Sequence, residues 1–336
     1  VIVPPPANNS ILHVTDFHIG APYGGIALTP KQFIELAKKS TTLENFVKNA
    51  RLPSDSPLAM LAENIKTAGA IVMTGDIIEF INQAPHDDED LMLEVGLEFH
   101  RLLLASAEQK PVYEVLGNHE RYKPYEKALK ALHVKHPNFQ VNHDHFLIGD
   151  ALFIHGDRDL TPYSMEGDAL YNSLDGKKDL APYYTTDGRA YQKRNIERYR
   201  HADDEAWHEV ANQHVPGIIA RNPRLHRLLE ITLSPLFPNA DPLLYTTPNQ
   251  LNILHHNLSA RLRKDFDRVK HVFSGHTHIP YANIEYDFRG RKFLFHNSGG
   301  AIKGSPDTCK PLMIEMANDH VKDVKQVVGK AQFASR

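Results

Sequence analysis

The sequence predicts an α/β layered fold, and three observations carry that expectation. Five short apolar runs rich in β-branched and aromatic residues stop abruptly at Gly, Asp, Asn or His, as buried strands feeding polar loops do. Amphipathic helical stretches separate the first three runs, and strand–helix–strand alternation places helices over a largely parallel or mixed sheet. The C-terminal segments read as further strands, expected to form a second sheet layer.

The first run, Ile11–Thr15, ends at Asp16-Phe17-His18. A helix over Pro57–Ala68 then puts Leu58, Leu61, Ile65 and Ala68 on one face, with Gly69 as its stop. The second run, Ala70–Thr74, ends at Gly75-Asp76. A second helix, Asp88–Ala105, aligns Leu91, Val95, Phe99 and Leu102, with Asp88 and Asp90 at its favourable N-terminal end. The third run, Val112–Leu116, ends at Gly117-Asn118-His119-Glu120, and the fourth, Ala151–Ile154, at His155-Gly156-Asp157. The fifth, His271–Ser274, ends at Gly275-His276-Thr277-His278.

The interval of roughly 120 residues between His155 and His276 is far too long for a plain loop. Its Gln192–Ala211 stretch is charged and helix-friendly, and Leu225, Leu228, Leu229 and Leu233 keep helical spacing until Pro235. Residues 158–268 are therefore expected to form a mainly helical insertion or lid within one domain spanning 1–336. A helical extension of the core fits that stretch equally well. Beyond His278, Ile284–Tyr286 and Lys292–Phe295 form a hairpin around Arg289-Gly290-Arg291, and Leu312–Met316 and Val321–Val328 add two strands.

Composition narrows the function classes. With 336 residues, 41% hydrophobic and 24% charged, the chain is globular and long enough for one α/β core with a sizeable insertion. Its 38 Lys+Arg against 41 Asp+Glu give a net charge of -3, which argues against a broad nucleic-acid-binding face. No apolar run approaches a membrane span, and no signal-peptide pattern opens the sequence, so cytoplasm is the default expectation. Cys309 is the single cysteine, so no internal disulfide forms.

The five strand ends offer carboxylates at Asp16 and Asp76, imidazoles at His18, His155, His276 and His278, and the amide of Asn118. Mixed imidazole and oxygen donors suit first-row divalent ions such as Mn, Fe, Zn or Ni. Seven candidates are too many for one tetrahedral ion and enough for two that share a carboxylate. In Asp16-x-His18 and His276-x-His278, an extended chain puts both side chains on one side, with Phe17 or Thr277 facing away.

These five blocks, in this order, resemble the calcineurin-like metallophosphoesterase superfamily, whose fold is a layered α/β/β/α sandwich. The resemblance implies that Asp16, His18 and His278 bind one metal, that Asn118, His155 and His276 bind the other, and that Asp76 bridges them. It implies a phosphatase or phosphodiesterase acting by attack of a hydroxide held between two divalent ions, Mn foremost, on a phosphorylated substrate. His119 would serve as the acid or hydrogen-bond donor to the leaving oxygen, and Asn118 would touch the phosphate; Arg121, just after this block, reads as a solvated arginine at a helix entrance before a phosphate clamp. Glu79, Glu120 and Asp157 are placed to orient imidazoles or, equally, to act as ordinary capping carboxylates.

Two subfamilies match in part. Protein Ser/Thr phosphatases share Gly-Asn-His-Glu but continue the second block with Asp-Arg-Gly, where Glu79-Phe80-Ile81 stands here. UDP-diacylglucosamine pyrophosphohydrolases share His-Gly-Asp and Gly-His-Thr-His but usually carry Arg at the position of His119. A nucleotide-sugar or lipid pyrophosphohydrolase and a nuclease are thus the alternative enzymes. A metal-binding scaffold for protein assembly is the non-enzyme alternative, disfavoured because no ligand position is missing.

Other features read as structural. The basic and aromatic cluster from Tyr183 to Tyr199 reads as an exposed helix before a nucleotide grip, and the stripe around Leu225–Leu236 as core before an acyl site. His143-Asp144-His145 reads as a polar turn. Asn297-Ser298-Gly299 partly matches a turn that related phosphoesterases place near their site.

Overall fold

Among the described residues, two mixed six-stranded sheets organise the fold. The computed structural model describes residues 1–20, 26, 28–80, 89–120, 122–156, 262–275, 280–288, 290–300 and 309–327. In one sheet, β2 (Ser10–Val14), β3 (Ala70–Met73), β4 (Val112–Val115) and β5 (Phe139–Asn142) run parallel. The hairpin β11 (Leu312–Ala317) and β12 (His320–Gln326) joins antiparallel to β2, giving the order β12-β11-β2-β3-β4-β5. The other sheet runs β1 (Ile2–Val3), β6 (Phe146–Ile148), β7 (Ala151–Phe153), β8 (His271–Ser274), β10 (Arg291–Ser298) and β9 (Pro280–Phe288).

Residue alternation along the central strands explains the two layers. Leu12 and Val14 of β2 and Ile71 and Met73 of β3 pack with Leu58, Leu61, Phe99 and Leu102 of the helices. Their neighbours Ile11, Ala70 and Val72 pack instead with Phe146, Phe153 and Phe273 of the facing sheet. Strands buried on both faces read as unbroken apolar runs, which is why the sequence displays them so plainly. Each such Leu, Ile or Phe contributes about 1.5–3 kcal/mol by its burial.

The helical layer holds α1 (Pro30–Lys38), α2 (Leu43–Asn49), α3 (Pro57–Ile65), α4 (Glu89–Ala107) and α5 (Lys123–Lys135). Thr29 starts α1 through a capping box with Gln32, and Ser56 caps α3 ahead of Pro57. The expected helices correspond to α3 and α4; α1, α2, α5, β1, β5 and β6 were not anticipated. The late strands divide between the sheets. The β9–β10 hairpin extends the second sheet as expected, whereas β11–β12 joins the first through the Leu312↔His13 register.

The chain divides into two compact units: Val1–Gly156 with Asp265–Arg336, which holds both sheets, and Asp157–Lys264. The helices expected within 158–268, the Tyr183–Tyr199 cluster and the Leu225–Leu236 stripe lie outside the described residues. Among the described residues no helix is long and apolar enough to cross a membrane.

Polar groups also lie between the sheets. His13 is fully buried against the rings of Phe153 and Phe273, with Nε2 2.9 Å from Thr74 Oγ1. His296 stacks on Phe273 at 4.4 Å, accepts the Asn283 N–H at Nδ1 and lies 3.0 Å from His271 Nδ1 through Nε2. Burial lowers the pKa of His13 to about 3 and that of His296 to about 2, so both are neutral in the fold.

Candidate metal centre

The chains leaving β2 and β3 stay paired beyond the strand ends. The Asp16 N–H donates to Gly75 O, His18 N–H to Asp76 O and Ile19 N–H to Ile77 O, each at 2.9 Å. Within this zipper Asp16, His18 and Asp76 adopt left-handed backbone conformations, with φ of 53°, 47° and 53°. Such conformations are uncommon for residues other than glycine and cost about 1–3 kcal/mol each. The expectation that Asp16 and His18 align along extended backbone is therefore corrected: two left-handed residues in a hydrogen-bonded turn bring them together. Phe17 does face away, fully buried in the helix-side core.

Asp76 is the centre of the cluster. Its Oδ1 accepts the His119 N–H at 3.0 Å, while Oδ2 is buried and has no hydrogen-bond partner among the described residues. His155 Nε2 lies 3.2 Å from that oxygen, at ion-pair distance but without hydrogen-bond geometry, and His119 Nε2 lies at 3.9 Å. Burial alone would raise the Asp76 pKa; His155, His119 and His18 hold it well below the ordinary carboxylate range. Asp16, Asp76 and His155 offer ligand atoms within 4.8 Å of one another, as do His18, Glu79 and His119.

Each imidazole is oriented through its Nδ1. His155 Nδ1 donates to Thr74 O at 2.7 Å, turning Nε2 toward Asp76. Glu79, fully buried, accepts from His18 Nδ1 at 3.0 Å with one oxygen and from His119 Nδ1 at 2.7 Å with the other. His18 Nε2 thereby lies 3.9 Å from Asp16 Oδ1. Both Glu79 oxygens are engaged by N–H donors, so this carboxylate orients imidazoles. Burial would lower the His119 pKa, but Glu79 and Asp76 push it up to about 9. Its side chain is 16% exposed, so His119 can meet a bound molecule.

Glu120 fixes the loops rather than an imidazole. Its oxygens accept four backbone N–H groups, from Ile77, Ile78, Asp76 and Gly117, at 2.7–3.1 Å. Burial and the nearby Glu114 and Asp76 carboxylates push its pKa up, but four donors fill four lone-pair positions, so protonation would break one of these bonds. The loops approach too closely for side chains. A Cβ on Gly117 would lie 2.1 Å from Asp76 Oδ1, and one on Gly275 2.4 Å from Asp16 Oδ2.

The structure thus brings Asp16, His18, Asp76, His119 and His155 together from the ends of strands in both sheets, with Glu79 behind them. The side chain of Asn118, and Arg121, Asp157, His276, Thr277 and His278, lie outside the described residues. Asn297 braces the base of the last motif, donating from Nδ2 to Gly275 O at 2.9 Å. His143-Asp144-His145 is a polar turn between β5 and β6, where the Asp144 N–H donates to Asn142 Oδ1. Sequence reasoning missed Thr15 and Thr74, whose position after a strand gives no distinguishing signal.

The donor set fits a metal. A buried carboxylate oxygen without a hydrogen bond faces imidazole Nε2 atoms whose other nitrogens are already donating, and such oxygen and nitrogen donors suit first-row divalent cations.

Comparison with known proteins identifies a family. The model of a family described as calcineurin-like phosphoesterase matches residues 10–280. Among solved structures 46 chains match. One is a dimetal phosphatase from Danio rerio, 12% identical, with the match covering 96% of this chain and 99% of that one at a TM-score of 0.40. No match was found among curated proteins.

Proposed function

The chain belongs to the calcineurin-like phosphoesterase family, and from that premise we propose that it is a metal-dependent phosphatase or phosphodiesterase using two divalent metal ions. The observation that carries this reading is the single buried carboxylate of Glu79, which fixes His18 and His119 beside the orphaned Asp76 Oδ2. Asp16, His18, Asp76, Asn118, His155, His276 and His278 would hold the ions, Asp76 between them. The ions would supply Lewis acidity toward the phosphoryl group and lower the pKa of a water nucleophile.

The chain's own groups account for the remaining requirements. His119 holds its Nδ1 proton against Glu79, and its raised pKa keeps the ring protonated near neutrality, so Nε2–H is available to a leaving oxygen. Asn118 and Arg121 would contact the phosphate of a phosphorylated substrate.

The test strips the protein of metal, restores Mn, and compares hydrolysis of a chromogenic phosphate monoester and diester by wild type, Asp76→Asn and His119→Asn. Metal-dependent turnover lost in Asp76→Asn is expected. The His119→Asn variant should be slowest on esters with poor leaving groups, which need a proton most. A fully metal-loaded wild type that hydrolyses neither ester would remove the basis for this function.

A further inference from the structure

A hydroxyl outside the expected ligand set sits directly against Asp16. Thr15 Oγ1, fully buried, lies 2.6 Å from Asp16 Oδ2, 3.2 Å from Thr74 O and 3.3 Å from Gly75 O. Three acceptors therefore surround one hydroxyl that has one proton to give. Both carbonyls are supplied from elsewhere: Thr74 O accepts from His155 Nδ1 at 2.7 Å, and Gly75 O from the Asp16 N–H at 2.9 Å. The carboxylate contact is also the shortest, as expected of a charge-assisted O–H···O⁻ bond. The hydroxyl proton belongs to Asp16 Oδ2.

We infer that Thr15 is a positioning residue of the metal centre. By holding Oδ2, it fixes the Asp16 carboxylate so that Oδ1, the oxygen 3.9 Å from His18 Nε2, is presented to the proposed metal centre. Removing the hydroxyl would delete the 2.6 Å bond that holds Oδ2 in this orientation. Gly275 closes the other side of this pocket. A Cβ there would lie 2.0 Å from Thr15 Oγ1 and 2.4 Å from Asp16 Oδ2. The first motif is thus packed against the start of the last, with the hydroxyl at the contact.

This inference rests on the proposed metal-dependent function, and its test separates the two. Mn is titrated calorimetrically into metal-stripped wild type, Thr15→Val, Thr15→Ala and Thr15→Ser, with the melting temperature of each metal-free protein recorded beside it. Val and Ala delete the donor with larger and smaller side chains, so Ala decides if Val does not fold. Both should bind Mn about 10- to 100-fold more weakly, the usual loss when a group behind a metal ligand is removed, and Ser should restore wild-type affinity. Wild-type affinity in the donor-less variants, or a Ser variant as weak as Ala, would overturn the role of Thr15. A wild type that takes up no Mn would overturn the metal centre itself.

Discussion

Replacing His13 with leucine should flatten the acid dependence of stability by one proton. His13 and His296 are neutral between the sheets, with pKa values lowered by burial to about 3 and about 2 from an ordinary 6.5. Because the folded-state values are depressed, the unfolded chain binds the extra protons. The stability these residues support is complete above pH 6.5 and falls as pH drops toward their folded values. Each loses about 1.4 kcal/mol per pH unit, so the pair costs about 5 kcal/mol over the two units below that value. That is a large share of the roughly 5–15 kcal/mol of a typical domain.

His271, lowered by burial, and Glu120, raised by burial, also change protonation as pH falls, but both are present in wild type and variant, so the difference between the two slopes isolates His13. Asp76 and Glu79, whose folded pKa values are depressed, lose stabilisation only below the ordinary carboxylate range. The raised values of His119 and His100 give stability that is fully present below 6.5. The assay is urea unfolding of the metal-free protein at several pH values between about 4.5 and 6.5. The His13→Leu variant forfeits the Thr74 hydrogen bond and so starts about 1 kcal/mol less stable. Its slope against pH should nevertheless fall by about 1.4 kcal/mol per unit. An unchanged slope would refute the assignment of a neutral, buried His13.

Two further substitutions probe the site. Glu79→Gln keeps the shape but presents one amide NH2 to an imidazole N–H; metal affinity by calorimetry should fall about 10- to 100-fold, and the His119 titration followed by NMR should move down from about 9. Gly117→Ala forces a Cβ to 2.1 Å from Asp76 Oδ1; thermal unfolding should report a loss of about 1–3 kcal/mol together with loss of Mn binding.

The central strands were legible because β2, β3, β4, β7 and β8 are buried on both faces and therefore spell continuous apolar runs. Their division between two sheets was not, since strand partnering such as Leu312↔His13 is decided at long range. Helix α1 did carry a local signal, Thr29 followed three residues on by Gln32 ahead of a buried Phe33, but short amphipathic helices leave a weak pattern. At the site, the gathering of Asp16, His18, Asp76, His119 and His155 was readable because each stands just beyond a strand end, where ligand-facing residues of such sheets collect.

What could not be read is how those residues meet. Asp16, His18 and Asp76 carry no glycine-like signature of their left-handed backbone. Glu79 and Glu120 were indistinguishable in sequence, yet one spans two imidazoles and the other gathers four backbone N–H groups. Thr15 hides in plain composition, because only the convergence of three acceptors on its hydroxyl sets it apart.

The most direct test of the account is the metal content of the purified protein after dialysis against Mn, measured by elemental mass spectrometry beside Asp76→Asn. Wild type should hold two ions per chain and the variant fewer, because Asp76 Oδ2 is a buried carboxylate oxygen 3.2 Å from His155 Nε2 and 3.9 Å from His119 Nε2. A wild type that retains no metal, or an Asp76→Asn variant that retains as much, would contradict it.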